Sequence, residues 1–279
     1  MAHQTKNTAN TNGTNIASVR GISVTYTDRG AGHPVLLVHG HPFDRTMWDP
    51  QVKALTQHGY RVIAPDLRGY GRSTVVPGTT TLDTFARDLA ALLDHLDLDM
   101  VSAVGLSMGG QICLELYRLF SDRIDSLTLA ATDPRPETDQ GRTDRAALAH
   151  RLRSEGMRGY TDETLIGMMT ADNVRDLPEV ADHVRAMMYA APPQGAASAL
   201  LGRAQRQDYL PLLRRIAAPT LLVAGRHDTF TPPRLTESMH VLVPDSLVQI
   251  IEGAGHLPNL ERPERFNEAL RRFLDHNHT

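Results

Sequence analysis

The sequence predicts an α/β protein in which a mostly parallel sheet is flanked by helices and carries an inserted, all-helical cap. Short apolar runs of strand length alternate with segments of helical periodicity before residue 133 and after residue 210. Such alternation is typical of a parallel sheet that is covered on both faces. The stretch between them has helical periodicity alone, which predicts an insertion over the carboxyl edge of the sheet. We therefore divide the chain into a leader at 1–15, a core at 16–132 and 211–279, and a cap at 133–210.

Composition and charge argue against several classes of protein. The chain has 279 residues and a formal net charge of −3, and it has no Lys/Arg run that would favour nucleic acid. No apolar run approaches the roughly 18 to 20 residues that span a bilayer, so we expect no membrane association. The leader is polar and lacks the apolar core of a secretion signal, and a single cysteine, Cys113, allows no disulfide framework. We expect a disordered leader on a soluble, cytoplasmic protein, and no feature of the sequence indicates its oligomeric state.

Three strands and two helices are predicted ahead of residue 100. Residues 22–27 alternate apolar and polar side chains, as a half-exposed strand does. Residues 34–39 are almost wholly apolar, which suits a central strand that is covered on both faces, and residues 61–65 form the next predicted strand. One helix is predicted at about 48–58, and a second at 81–94, where a threonine can cap the first turn.

A buried strand that begins at residue 101 runs into a tight turn with the spacing Gly-x-Ser-x-Gly around Ser107. Glycines two residues on either side of the serine are needed because a Cβ there would collide with the neighbouring strand and helix. The apolar helix that follows, at 111–120, starts beneath the serine, so its unpaired N–H groups face the place where negative charge would develop. We interpret Ser107 as a nucleophile, and an incidental serine in a glycine-rich turn is the alternative.

The remaining elements continue the pattern on both sides of the cap. Residues 124–130 form an apolar strand, and two strands and an amphipathic helix follow the cap, at 219–225, 247–252 and 263–276. Within the cap, helical periodicity is clearest at 145–152, 162–169 and 177–189. Half of the ten methionines fall in the cap. They could line a flexible apolar pocket or simply pack between cap and core.

Nucleophilic serine chemistry also needs a base within hydrogen-bond reach and an acid that orients the base. His256 follows a predicted strand, and the small residues around it would let its imidazole reach Ser107. This position distinguishes it among the thirteen histidines of the chain. Asp228 also follows a strand and would accept the other ring N–H and stabilise the imidazolium. A structural histidine and a turn-capping aspartate are the alternatives for these two residues.

Backbone N–H groups are the expected donors to the oxyanion. Met108 directly follows the nucleophile and would supply one, and we assign the second to the main chain of His41, in the loop after the first apolar core strand. The His41 imidazole as a second base or a metal ligand is the less favoured interpretation. The side chains predicted to line the substrate pocket are Phe43, Trp48, Met168 and Met187, with Met108 as a further candidate.

Four separated motifs together resemble the α/β-hydrolase family. They are His39-Gly-His-Pro42, Gly105-Leu-Ser-Met-Gly109, Gly225-Arg-His-Asp228 and Gly253-Ala-Gly-His256. The chain order serine, aspartate, histidine is the one expected of serine hydrolases with this fold. The segment 66–73 is similar to a structural segment common in the family, and the resemblance covers about residues 22–275. Within the family, residues 47–51 and the helical cap resemble the group of 3-oxoadipate enol-lactonases, arylesterases and cofactor-free haloperoxidases.

The resemblance implies a serine hydrolase that cleaves an ester or lactone of a small to medium apolar substrate through an acyl-enzyme, with no metal or organic cofactor. Its expected partner is that small-molecule substrate. Cleavage of a C–C or amide bond by the same triad remains open, and so does perhydrolysis, in which peroxide replaces water. A ligand receptor with slow turnover is an alternative of another class. The fold does not by itself fix the substrate.

Overall fold

The computed structural model describes residues 14–278. Its strands are β1 Thr14–Val19, β2 Ile22–Arg29, β3 Pro34–Val38, β4 Arg61–Pro65, β5 Val101–Leu106, β6 Ile124–Ala130, β7 Thr220–Gly225 and β8 Ser246–Ile251. They form one eight-stranded sheet with the order β1-β2-β4-β3-β5-β6-β7-β8. The pairs β1–β2 and β2–β4 are antiparallel, and the other pairs are parallel. The mostly parallel sheet predicted from the sequence is confirmed.

Strand β3 lies near the middle of the sheet because it pairs with β4 on one side and β5 on the other. Leu36 is aligned with Ile63 of β4 and with Ala103 of β5. The side chains of β3 from Val35 to Val38 are fully buried, as expected for an apolar strand that is covered on both faces. Since neighbouring parallel strands end at the same edge, the loops after β3, β5, β7 and β8 meet there, and they carry the predicted site residues.

The helices are α1 Asp49–Gln57, α2 Leu82–His95, α3 Met108–Leu119, α4 Asp139–Glu155, α5 Arg158–Met168, α6 Ala171–Asp176, α7 Pro178–Ala190, α8 Pro193–Arg203, α9 Leu210–Leu213, α10 Pro233–Leu242, α11 Pro258–Glu261 and α12 Pro263–His278. Helix α1 packs against α12, and α2 packs against α3. As predicted, Thr81 caps α2, where its hydroxyl accepts a hydrogen bond from the Thr84 N–H at 3.2 Å. Helix α3 starts three residues earlier than predicted, directly after Ser107.

Helices α4 to α9 lie between β6 and β7, and in the described chain no strand interrupts them. Helix α8 approaches two core loops so closely that glycine is required on its surface. A Cβ on Gly195 would lie 1.8 Å from the Gly69 carbonyl oxygen, and one on Gly202 would lie 1.7 Å from that of Thr80. These backbone contacts hold the helical insertion directly on the core.

The first strand corrects one boundary that the sequence predicts. Residues 1–13 of the expected leader lie outside the described residues, but Thr14 and Asn15 belong to β1, where they are aligned with Thr27 and Tyr26 of β2. Main-chain pairing along the sheet edge holds these two polar residues. None of the helices among residues 14–278 is long and apolar enough to cross a bilayer.

Candidate active site

Ser107 lies in a strained turn between β5 and α3. Its φ of +56° and ψ of −114° fall in the left-handed half of backbone space, which non-glycine residues rarely adopt. Two hydrogen bonds hold it there. The Ser107 N–H donates to the Ala130 carbonyl at 2.9 Å, and the Thr132 hydroxyl donates to the Ser107 carbonyl at 2.7 Å. The Ser107 hydroxyl has no partner among the described residues and lines a cavity.

The glycines around Ser107 have the steric role that the sequence predicts. A Cβ on Gly105 would lie 2.3 Å from the Gly109 carbonyl oxygen, and one on Gly109 would lie 2.0 Å from that of Val38. Strand, turn and helix therefore pack backbone against backbone. This tight packing keeps Ser107 in its strained conformation at the carboxyl edge of the sheet.

His256 and Asp228 form a buried pair in the loops after β8 and β7. The His256 Nδ1 and Asp228 Oδ2 atoms are 2.8 Å apart. Asp228 is 4 % exposed; it also accepts hydrogen bonds from the Thr231 hydroxyl at 2.5 Å and from the Phe230 and Thr231 N–H groups. Burial alone would raise the pKa of Asp228, but His256 and these hydrogen bonds hold it below its ordinary value. The ionised carboxylate orients His256, which lines the same cavity as Ser107.

A buried carboxylate that the sequence analysis missed holds the His256 loop. Glu261 Oε1 accepts hydrogen bonds from the N–H groups of Gly255 at 2.8 Å and Leu257 at 3.2 Å, the residues on either side of His256. Its Oε2 accepts from the Thr170 N–H at 3.0 Å and from Asn173 Nδ2 at 2.6 Å. Glu261 therefore ties the histidine loop to the start of α6.

We expect Glu261→Gln to destabilise the protein by about 3 kcal/mol and to lower kcat, because a neutral amide accepts more weakly and turns its NH₂ toward buried N–H donors. Urea unfolding and ester turnover measure the two effects. The matched control is Glu264→Gln, since Glu264 is an exposed residue of α12. An unfolding free energy within about 0.5 kcal/mol of wild type would contradict this role for Glu261.

A second loop, after β3, brings His41 to the cavity. The buried His39 holds the start of this loop. Its Nε2 accepts a hydrogen bond from the Leu67 N–H at 2.9 Å, and its Nδ1 donates to the Gly40 carbonyl at 2.9 Å. Burial lowers the pKa of His39, in keeping with this neutral tautomer. In the described chain, the N–H groups of His41 and Met108 have no hydrogen-bond partner. Both predicted oxyanion donors are therefore free to bind a ligand.

The His41 side chain is neutral and incompletely satisfied. Its Nδ1 is 2.7 Å from the Tyr70 hydroxyl, whereas its buried Nε2 has no partner. Burial, together with Arg203 and Arg145, lowers the pKa of His41 well below its ordinary value. Either the Tyr70 O–H or the His41 Nδ1–H is the donor of this hydrogen bond, and in both arrangements the buried Nε2 is left for a ligand. With the Tyr70 O–H as the donor, the ring proton lies on Nε2, from which it can be donated to an oxygen atom of a ligand.

The cavity that contains Ser107, His41 and His256 has a volume of about 370 Å³, near the lower end of the range for small-molecule sites. Its apolar wall consists of Leu148, Met168, Leu200 and Phe230, and further polar and charged groups complete the lining. Phe230 packs edge-on to the His256 ring, with centroids 5.2 Å apart. The cavity is therefore small, and its lining is more polar than we would expect for the apolar substrate that the sequence predicts.

The structure places only one of the predicted pocket walls on this cavity. Met168 lines it, but Phe43 and Met187 line a separate cavity of about 250 Å³. Trp48 is fully buried and packs against Phe266, with ring centroids 6.2 Å apart, and the Met108 side chain is buried in the core. The prediction is corrected for Phe43, Trp48, Met187 and Met108, because packing between elements, and not sequence position, directs these side chains.

Residues 33–263 match the family model for the alpha/beta hydrolase fold. The chain belongs to the α/β-hydrolase family. It is 30 % identical to the non-heme chloroperoxidase CPO-A1 of Kitasatospora aureofaciens over 91 % of this chain and 97 % of that protein. It is also 30 % identical to the 3-oxoadipate enol-lactonase 2 of Acinetobacter baylyi, over 81 % of this chain and 82 % of that protein.

Among solved structures, a thermophilic esterase from Thermogutta terrifontis, with malate bound, superposes on this α/β-hydrolase with a TM-score of 0.91. The two are 41 % identical, and the match covers 95 % of this chain and 97 % of the esterase. The relatives and neighbours are enzymes, and so is this chain. The predicted family and its resemblance to the enol-lactonase and haloperoxidase group are confirmed.

Two other features of this α/β-hydrolase lie away from Ser107. A groove of about 530 Å³ between β8 and α12 is larger than the Ser107 cavity but contains none of the predicted site residues. His33, Asp125 and His278 cluster near the opposite edge of the sheet from Ser107. The two imidazoles are stacked, with centroids 3.7 Å apart and planes 15° from parallel. Both Nε2 atoms lie 2.9 Å from the Ser102 hydroxyl oxygen, so hydrogen bonds to Ser102 hold the two rings in this arrangement.

Proposed function

We propose that this α/β-hydrolase cleaves a small ester or lactone through an acyl-enzyme on Ser107, with His256 as the base and Asp228 as its partner. The observation that carries the proposal is the buried His256–Asp228 pair on the cavity that also contains the strained Ser107. A nucleophile, a base and an acid that orients it are the parts that serine acyl transfer needs.

In the first half of the reaction, His256 Nε2 takes the proton of the Ser107 hydroxyl as the serine oxygen attacks the ester carbonyl. The free N–H groups of His41 and Met108 stabilise the negative charge on the carbonyl oxygen, to which each such donor contributes about 3 kcal/mol. As the tetrahedral intermediate collapses, the imidazolium of His256 gives its proton to the leaving alcohol. The product of this half-reaction is an ester of Ser107.

In the second half, His256 takes a proton from water, and the resulting hydroxide attacks the acyl-enzyme. The same N–H groups stabilise the second oxyanion, and Ser107 leaves with the proton from His256. The similarity to a chloroperoxidase makes perhydrolysis the second candidate, in which hydrogen peroxide replaces water at this step and the product is a peracid. The similarity to an enol-lactonase supports lactones among the substrates.

Covalent labelling with a neutral fluorophosphonate tests the proposal directly. We expect a single mass addition on the peptide that contains Ser107, together with complete loss of p-nitrophenyl butyrate hydrolysis. Ser107→Ala should show neither labelling nor turnover. A wild-type enzyme that hydrolyses the ester while its label lies elsewhere, or that does not label at all, would refute Ser107 as the nucleophile. Peracid formation in the presence of peroxide would identify the perhydrolase activity.

A further inference from the structure

The wall of the Ser107 cavity carries more positive than negative charge. Three arginines line it: Arg145, Arg203 and Arg206. Glu137 is the ion-pair partner of both Arg145 and Arg206. Asp133, which also lines the cavity, forms its ion pair with Arg135, at 2.7 Å. Within the described chain, these carboxylates already form ion pairs with other arginines, and none of them is paired with Arg203.

Arg203 lines the Ser107 cavity without an ion-pair partner among residues 14–278. In the part of the chain that the structure describes, its guanidinium makes one hydrogen bond, from Nε to Gln111 Oε1 at 3.1 Å. The Gln111 Nε2 donates to the Asp133 carbonyl at 3.2 Å, which turns the amide oxygen toward Arg203. Gln111 lies one helical turn after Ser107, and its N–H donates to the Ser107 carbonyl at 3.2 Å. Arg203 and Ser107 line the same cavity, so the free N–H donors of Arg203 are available to a ligand bound there.

Partial burial makes this unpaired charge costly, although Arg203 is not fully removed from solvent. Loss of water, together with the nearby Arg145 and Arg206, lowers the pKa of Arg203 to about 9. The side chain remains mostly protonated at neutral pH. Buried charges in proteins are normally paired, because an isolated ion in a medium of low polarity is strongly destabilised. A guanidinium with five N–H donors and one protein acceptor is suited to bind an anion that arrives with the ligand.

A second buried nitrogen without a partner fits an anionic ligand when it carries the ring proton. The His41 Nε2 has no partner among the described residues, although the residue is only 5 % exposed and lines the same cavity. A buried N–H that is left unpaired costs free energy, which an incoming oxygen atom would recover. Arg203 and His41 lie on different elements, α8 and the loop after β3, so the incompletely paired guanidinium and the unpartnered Nε2 are independent observations.

We propose that the substrate is a small ester or lactone that carries a free carboxylate, and that Arg203 binds this carboxylate while Gln111 positions Arg203. The proposal rests on the proposed function of Ser107. It replaces the small to medium apolar substrate predicted from the sequence with one that is apolar along Leu148, Met168 and Leu200 and anionic at one end. Hydrolysis of such a substrate gives products that together carry one more negative charge than the substrate.

Paired esters that differ in one group test the proposal. Monoethyl glutarate and ethyl pentanoate have the same chain, with a carboxylate in place of a methyl group on the acyl side. Acetoxyacetate and ethyl acetate differ in the same way on the alcohol side. We expect kcat/KM for the charged member of one pair to exceed that of its neutral partner by about 10- to 100-fold. The preferred pair shows which side of the ester bond carries the charge.

The variant Arg203→Gln should lower this preference about 10- to 100-fold, chiefly through KM for the charged ester. Arg203→Lys, which keeps the charge but not the forked donors, should retain part of it. The matched control is Arg153→Gln, at an exposed position of α4, which should leave the preference unchanged. A preference that stays within about twofold of wild type in Arg203→Gln would overturn the role of Arg203.

Product inhibition of the wild type keeps the test decisive if Arg203→Gln does not fold. Glutarate should inhibit ethyl pentanoate hydrolysis at least tenfold more strongly than pentanoate does, and added salt should weaken the effect modestly at a buried site. Equal inhibition by both acids, with no preference in either ester pair, would overturn the proposed carboxylate site. If fluorophosphonate still labelled Ser107, the proposed hydrolase function would remain supported. Failure of that labelling would instead refute the proposed function.

Discussion

Replacement of Ser107 by alanine should lower kcat for p-nitrophenyl butyrate by about 10⁴-fold or more. The reason is that the acyl-enzyme cannot form without the serine oxygen, whereas binding and the oxyanion donors give only a small residual rate. Stability should change little, because the Ser107 hydroxyl has no hydrogen-bond partner in the described chain and alanine has the same backbone strain at φ of +56°. Stopped-flow and long-time hydrolysis assays, with urea unfolding beside them, measure both effects.

The matched control for this experiment is Ser154→Ala. Ser154 is an exposed residue of α4 whose hydroxyl donates within its own helix, so its loss should leave the rate within about twofold of wild type. A Ser107→Ala enzyme that keeps more than about a tenth of the wild-type rate would exclude the acyl-enzyme mechanism. The ester hydrolysis would then have to proceed by direct attack of water.

Asp228→Asn should lower kcat by about 10⁴-fold while the protein remains folded. The carboxylate accepts from His256 Nδ1 at 2.8 Å, which leaves Nε2 free to accept the serine proton. An amide NH₂ in that place would favour the opposite tautomer, with the proton on Nε2, and such a ring cannot act as the base toward Ser107. The exposed Asp122 offers the matched control, Asp122→Asn.

The same substitution should show a defined pH dependence in stability. The folded-state pKa of Asp228 lies below its ordinary value, so its ionised form stabilises the fold. That contribution is complete above the unfolded-state pKa of about 4 and is lost as the pH falls through the folded-state pKa. The difference in unfolding free energy between wild type and Asp228→Asn should therefore shrink below about pH 4. A difference that grows toward acid pH would contradict an ionised, buried Asp228.

Local patterns in the sequence predict the sheet well but miss its edge. Strands β3, β4 and β6 are short apolar runs, and their limits follow from burial on both faces. Strand β1 has polar residues at its start, and its Ile16 is 65 % exposed. Main-chain pairing with β2 holds such a strand, and this pairing requires little apolar patterning in the sequence.

The sequence by itself determined the family, the order of the strands along the chain, and the candidates Ser107, Asp228 and His256, because each of these depends on short motifs at strand ends. Only the tertiary structure decided which side chains face the cavity and which charges are paired. Glu261 and Arg203 look like ordinary charged residues of helices α11 and α8 in the sequence. Their roles depend on contacts with residues about 90 positions away. Such contacts are set by how the helical insertion packs on the core, and helical periodicity does not encode that packing.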